Sequence, residues 1–163
     1  MKSLGLKIGA IAASGGFLVI ALLVFAPQAW AQTSAGSVGL VSGIVAIERA
    51  SKPIPAVNGT ALLVGDKLTT GPNSRITVIL SDGSQLELND SSTLVLTENT
   101  LNPDGSRKST KITLLTGLVR SLVRHAPGGS PNFEVHTPNA VASARGTMFD
   151  VSYHEGQAAP ATP

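Results

Sequence analysis

The side chains best suited to acid–base or metal chemistry are three histidines, His125, His136 and His154, in a chain without cysteine. Histidine is a common metal ligand. In a strand, His136 shares a face with Glu134, since side chains alternate with a period of two. His125 and His136 flank a Pro/Gly loop, so strand pairing could bring them together, and a metal site would need a third ligand such as Glu134 or Asp150. Scattered histidines are more often surface residues, so we predict no metal site and no cofactor.

Motifs of known enzyme classes are absent from the sequence. It has no Gly-x-Ser-x-Gly elbow, no Ser-x-x-Lys pair, no His-Glu-x-x-His and no phosphate-binding Gly-x-x-x-x-Gly-Lys-Ser/Thr loop. Asp82 is expected in a turn and Glu87 on an outward strand face, so no pair of carboxylates across a cleft is indicated. Aromatic residues are too few to build a stacking platform for sugars or bases. The sequence therefore predicts a protein that is not an enzyme.

The most unusual local pattern is Arg145-Gly146-Thr147, which interrupts an apolar segment. One alternative makes Arg145 a contact for an anion or a partner. We favour a structural role, in which Arg145 is partly buried and held by carboxylates or backbone carbonyls, while Gly146 supplies a bend. Asp82 and Asp66 are the candidate partners of the guanidinium.

The elements that must position these side chains are strands. In residues 75–80 and 84–88 apolar side chains alternate with polar ones, and this period of two is typical of a half-buried strand. Residues 93–97 and 110–116 predict a second hairpin, closed by Asn-Pro-Asp-Gly at 102–105, with Ile112 and Leu114 inward. Gly117 breaks or bends this ladder, and residues 118–124 run on as another strand.

Turn signals separate these strands. Asp82-Gly83 favours a tight hairpin turn because both residues tolerate positive φ angles. Gly65-Asp66 marks another turn, and Thr137-Pro138 ends a strand that begins at Phe133. Residues 139–144 are expected to form a loop or one helical turn, and residues 148–152 the last strand. No segment beyond residue 31 shows a sustained helical period. We therefore predict an all-β roll or sandwich of short, mostly antiparallel strands.

The first residues carry a targeting signal. Lys2 and Lys7 precede an apolar run from Ile8 to Ala26, and Ala29 and Ala31 form the small-x-small pattern of a cleavage site. This order predicts a helical secretory signal peptide. The alternative is an uncleaved membrane anchor, since the run approaches the length that spans a bilayer.

These signals divide the chain into a signal peptide (1–31), a linker (32–37), one β domain (38–154) and a disordered tail (155–163). Without the signal peptide the chain has as many basic as acidic residues. No basic stripe remains to hold phosphates, so nucleic acid is not expected as a partner. The lack of cysteine excludes disulfides and thiol chemistry.

Four segments, taken in order, resemble the FecR domain family. They are Val64–Thr70, Arg75–Leu88, Ile112–Val119 and Phe133–Val151, and the resemblance covers residues 38–151. Its structural motif residues are Gly65, Asp66, Asp82, Gly83, Thr137, Pro138, Arg145, Gly146 and Thr147.

The resemblance implies an all-β periplasmic module. The best-known members of the family sit in the inner membrane, receive a signal from a TonB-dependent transporter loaded with an iron chelate, and regulate an extracytoplasmic-function sigma factor. Few residues precede the apolar run here, and no second periplasmic domain follows Val151, so we expect a stand-alone exported domain. Relatives often continue with more strands, and an open last edge could accept a partner strand.

We therefore expect a bacterial periplasmic or secreted module that binds a protein partner in the envelope. Contact with the membrane is expected only through the signal segment, if it stays uncleaved. Two alternatives remain: a module that binds cell-wall glycan or a small ligand, and a component of an iron-responsive transporter and sigma-factor signalling system.

Overall fold

A computed structural model describes residues 34–125 and 132–156 of the chain. The predicted signal peptide and its cleavage residues Ala29 and Ala31 lie outside the described residues, as does most of the predicted tail. The described residues form strands joined by turns, bends and irregular segments, with no helix, which confirms the all-β class. The strands are β1 (Ser34–Ser42), β2 (Val45–Arg49), β3 (Lys52–Ile54), β4 (Ala61–Leu63), β5 (Lys67–Thr70), β6 (Arg75–Leu80), β7 (Gln85–Leu88), β8 (Thr93–Leu101), β9 (Arg107–Leu122), β10 (Phe133–Thr137), β11 (Ala140–Ala144) and β12 (Met148–Tyr153).

Both predicted hairpins are present. β6 and β7 pair in an antiparallel register, and their turn is closed by the Gly83 N–H, which donates to the Leu80 carbonyl at 2.8 Å. Asp82 stabilises the same turn because its carboxylate accepts the Ser84 N–H at 2.9 Å. β8 and β9 form the second hairpin across the turn at 102–105, where the Gly105 N–H donates to the Asn102 carbonyl at 2.9 Å.

Strand β9 organises the whole domain. Its first half pairs with β8 on one side and with β10 on the other, and its second half pairs with β7 and β12. The change of neighbours takes place around Gly117, whose φ of +93° is a conformation that residues other than glycine rarely adopt. The sequence interpretation ended one strand at this glycine and began another, whereas the structure continues a single strand through it.

The twelve strands pair into one curled sheet, with a main path in the order β3-β2-β5-β8-β9-β7-β6-β1-β4. Every pairing among the described residues is antiparallel except that of β9 with β10, so the prediction of mostly antiparallel strands is confirmed. Curling turns the inner faces of the strands towards one core, which is built largely from the apolar residues that the alternation places inward. Its largest fully buried aliphatic side chains are Ile47, Leu62, Leu68, Ile76, Leu86, Leu88, Leu94, Leu96, Ile112 and Leu114.

Two local predictions differ from the structure. β1 begins at Ser34, so Ser34–Ser37 belong to a paired strand and not to a linker, because their backbone groups pair with β4 and β6. Residues 139–144 were interpreted as a loop or a helical turn, but Ala140–Ala144 form β11. Thr137-Pro138 closes that hairpin, since the Ala140 N–H donates to the Thr137 hydroxyl at 3.0 Å. Nothing in the described part of the chain forms a helix long and apolar enough to cross a bilayer.

Candidate functional site

The turn residue Asp66 is the buried member of an ion pair with the partly exposed Arg49. Its side chain is fully buried and receives the Arg49 guanidinium through two hydrogen bonds of 2.8 Å each. The Leu63 N–H donates to the same carboxylate at 2.8 Å. These hydrogen bonds from the guanidinium raise the pKa of Arg49. Gly65 turns the chain with a φ of +96°, so Gly65-Asp66 locks a turn and leaves no free carboxylate oxygen for a ligand.

A second ion pair, in which both side chains are buried, joins Arg107 to Asp82. The Arg107 side chain is 1% exposed and that of Asp82 is 4% exposed. Arg107 also donates to Ser84 Oγ at 3.0 Å, to Asn132 Oδ1 at 2.9 Å and to the Arg124 carbonyl at 2.8 Å. A buried charge is tolerated when it is paired and fully hydrogen-bonded. Its bonds reach the β6–β7 turn, the end of β9 and the residue before β10.

Phe133 covers the flat side of this guanidinium. The Arg107 carbon Cζ lies 5.5 Å from the centre of the Phe133 ring, a cation–π distance. Phe133 also meets Phe149 of β12 edge to face, with ring centres 6.1 Å apart. The guanidinium therefore donates hydrogen bonds from its N–H groups and packs one face against an aromatic ring. These contacts join elements that are distant in sequence.

This assignment corrects the sequence interpretation of Arg145. Arg145 is exposed, while the arginines bound to Asp82 and Asp66 are Arg107 and Arg49. Arg107 escaped notice because it follows a turn at the irregular start of β9, where the register with β8 shifts and the alternation of inward residues is broken.

Gly146 and Thr147 follow the exposed Arg145 in a bend that leads into β12. A Cβ atom at Gly146 would lie 2.8 Å from His125 Cα, so the two chain segments approach closely at this point. The Thr147 carbonyl accepts the Val123 N–H at 2.9 Å and starts the pairing of β12 with β9. The Arg-Gly-Thr tripeptide therefore directs the chain into its last strand.

The histidines do not gather carboxylates into a metal site. His136 Nε2 lies 2.7 Å from Glu134 Oε2, as the strand alternation predicts. Asp150, the third candidate ligand, is held by Arg120 through bonds of 2.9 and 2.8 Å. Within residues 34–125 and 132–156 no group of three or more metal-ligating side chains is found.

A shallow polar pocket lies beside the buried Arg107. Its volume is about 250 Å³, and its lining combines cationic and anionic groups with backbone of the turn at 102–105. Asp104 is bound by Ser106, and these hydrogen bonds lower the pKa of its carboxyl. The lining residues are Asp82, Asp104, Gly105, Ser106, Arg107, Arg124 and His125.

The outer face of strands β6, β7, β9 and β12 carries two parallel rows of side chains. One row is mainly apolar and runs along the register Ile79–Gln85–Leu122–Met148. Its large apolar members are exposed, and Met148 is 64% exposed.

The neighbouring row is ionic. Glu87, Arg120 and Asp150 lie directly opposite one another across β7, β9 and β12. Arg75 adds a salt bridge of 3.0 Å to Glu87. Arg120 lowers the pKa of the Asp150 carboxyl through its hydrogen bonds. Both rows end at β12, the last strand on this face.

Strand β12 offers a free backbone edge, since β9 is its only strand neighbour in the described part of the chain. The Thr147 carbonyl points towards β9, and the direction of backbone groups alternates along an antiparallel strand. The N–H and C=O groups of Met148, Asp150 and Ser152 therefore point away from the sheet.

The inner side of this edge is incompletely covered. Phe149, Val151 and Tyr153 face the core but remain half-buried. The neighbouring inward positions of β9, Val119 and Ser121, are fully buried. A further strand at this edge would complete the burial. The alternation of residues 148–152 predicts a strand. It does not predict which strands lie beside it, so the free edge of β12 is known only from the strand pairing in the structure.

No curated protein and no solved structure matches the chain. The family model described as FecR protein matches residues 66–161, which is more than half of the chain. That range holds the Asp82–Arg107 pair, all of β9 and the β12 edge, and it contains most of the motif residues named from the sequence. The chain therefore belongs to the FecR family.

Proposed function

We propose that this protein is an exported, non-enzymatic FecR-type module of the bacterial envelope that binds a protein partner and takes part in signalling through that contact. FecR domains are associated with iron-responsive signalling systems, which supports a regulatory role. A component of a transporter and sigma-factor system of that kind is the narrower form of the same proposal.

The observation that carries the proposal is the β12 edge. Its outward backbone groups can form a new ladder, and its inner residues gain burial when a strand is added. Soluble proteins usually protect such edges, because an open edge attracts other strands. In contrast, the buried charged residues Arg107 and Asp66 have their charged groups paired and hydrogen-bonded within the fold. They are not disposed to activate a substrate.

Site-specific crosslinking tests the proposal. A photo-reactive amino acid replaces Ser152, whose side chain is exposed at the edge, and the protein is irradiated in envelope preparations of its host. The control position is Thr97, an exposed residue of β8 away from this edge. We expect a discrete crosslinked partner from position 152 and none from position 97.

Competition makes the assay specific. Excess unlabelled protein should remove the crosslink, and excess of a Met148→Pro variant should not. This substitution deletes an outward N–H without touching the bonds to β9, and proline blocks a sheet edge. Equal crosslinking from both positions, or competition by the proline variant, would refute the proposal.

The polar pocket favours a second candidate, a site for cell-wall glycan or another small polar ligand. Arg124 and His125 supply hydrogen-bond donors at its mouth, and Asp104 supplies an acceptor. Sedimentation of the protein with purified peptidoglycan tests this candidate. Retention that Arg124→Ala abolishes would support it, and absence of retention would contradict it.

A further inference from the structure

We infer that the segment accepted by β12 is an extended strand of another protein with an apolar residue opposite Met148 and a lysine or arginine opposite Asp150. These two residues stand two positions apart in the partner. The inference rests on the proposed function and specifies the chemistry of its partner.

The charge of the partner follows from the ionic row. Signs alternate along Glu87, Arg120 and Asp150, and directly opposed side chains interact most strongly across a sheet. Arg120 of β9 lies on one side of Asp150, the other side is the free edge, and the Asp150 side chain is 41% exposed. A cation in the next position continues the alternation. A carboxylate there would face a like charge, which is unfavourable.

The apolar position follows from the neighbouring row. Leu122 and Met148 lie side by side and are both exposed. An apolar side chain opposite Met148 would add a further member to this apolar row and remove apolar surface from water. Because residues on one face are two apart, this position and the cation are separated by one residue.

The intervening residues of the partner face the core. They would lie opposite Phe149 and Val151, which are half-buried at present. Apolar side chains there would complete the burial of both. The partner residues opposite Met148 to Val151, taken in that order, are therefore apolar, apolar, cationic and apolar.

A second copy of β12 does not match this pattern. An antiparallel copy centred on Asp150 would place two carboxylates directly opposite each other. The chemistry of the edge therefore favours a different chain as occupant.

Peptide binding to the purified protein tests the inference. The probe is a fluorescein-labelled synthetic peptide with the core Ile-Val-Lys-Val-Ile, which reads the same for parallel and antiparallel pairing. A second peptide carries glutamate in place of lysine. A third carries N-methyl groups on the amides of the lysine and of the valine that follows it, which are the donors to the Asp150 carbonyl in antiparallel and in parallel pairing. Affinities are measured by fluorescence anisotropy.

We expect the lysine peptide to bind about threefold to tenfold more tightly than the glutamate peptide, as direct cross-strand charge pairs allow. Asp150→Lys should reverse this ranking. The matched control is Glu98→Lys, which alters a comparable exposed pair, Glu98 with Lys111, away from the edge. It should leave the ranking unchanged. N-methylation should abolish binding because it removes the backbone donor.

Equal affinity for the two charged peptides, or a ranking that Asp150→Lys leaves intact, would overturn the inference. A concentration-dependent dimer that Met148→Pro dissolves would also overturn it, since the edge would then hold a second copy. Either result is compatible with a partner crosslinked from position 152. Loss of that crosslink, in contrast, would remove the proposed function itself.

Discussion

Replacing Arg107 by methionine should destabilise the domain more than any change to the exposed Arg145. Methionine preserves much of the length of the side chain but removes the charge and all its donors. Asp82 then remains nearly fully buried as a carboxylate without its cation. Asn132 and the Arg124 carbonyl each lose a hydrogen bond as well.

The expected cost can be estimated from these contacts. Removing one partner of a buried ion pair costs about 3–5 kcal/mol, because an uncompensated charge stays in a medium of low polarity. Part of this loss is offset, since Asp82 still accepts the Ser84 N–H and hydroxyl. We therefore expect about 3–4 kcal/mol. For a domain of this size that corresponds to a fall in melting temperature on the order of 10 °C.

Urea denaturation, monitored by circular dichroism, measures this loss. An unchanged slope of the unfolding free energy against urea concentration indicates that unfolding exposes the same surface in the variant. Arg145→Ala is the control and should change the free energy of unfolding by less than about 1 kcal/mol, as exposed substitutions usually do. The double variant Arg107→Met/Asp82→Asn should cost less than the sum of the single variants, since the orphaned charge is gone. A loss below about 1 kcal/mol for Arg107→Met would refute the role of the pair in holding the turns together.

Two further predictions concern the bend in β9 and the ionic row. Gly117→Ala should cost about 2–4 kcal/mol, because its Cβ would lie 1.9 Å from Ser92 Oγ at a positive φ. Gly59→Ala has a similar φ with open space around it and should cost only about 1–2 kcal/mol in the same urea assay, so equal costs would contradict the clash. The pKa of the Asp150 carboxyl, followed by NMR, should lie below the ordinary 3.8 and rise in Arg120→Gln. The small stability that this pair adds is present above about pH 4 and lost as the pH falls through the lowered pKa, and an Asp150 pKa unmoved by Arg120→Gln would contradict the pairing.

The two hairpins were predictable because their evidence is local. Alternation in residues 75–80 and 84–88 places apolar side chains on one face, and Asp82-Gly83 closes the turn between them. The same reasoning identified Ile112 and Leu114 as inward residues, and both are fully buried.

Prediction failed where the alternation changes phase. After Arg107, the inward residues of β9 are even-numbered from Thr110 to Leu114 and odd-numbered from Gly117 onwards. A glycine in the left-handed region makes this change inside one continuous strand. A sequence pattern registers only a break there, so β9 looked like two strands. Arg107 lies in an equally irregular position and was missed, while the conspicuous Arg145 was overrated.

Part of the candidate site was likewise predictable from local sequence, and part was not. Sequence motifs located Gly65, Asp66, Asp82 and Gly83 in turns, and each of them lies in or beside a turn in the structure. They did not reveal that Asp82 receives Arg107, because the pair joins residues 25 positions apart. Ion pairing depends on the charges of two residues and on the distance between them in the fold, and the sequence gives only the charges.

By itself the sequence determined the class of structure, the tight turns and the inward face of the regular strands, since each depends on residues a few positions apart. The family resemblance arose from the same local segments. Only the tertiary structure decided which arginine is buried, how β9 joins its four neighbours and that β12 is left with one strand at its side. The physical reason is that strand pairing and charge burial satisfy groups distant along the chain, and many pairings satisfy the same alternation equally well.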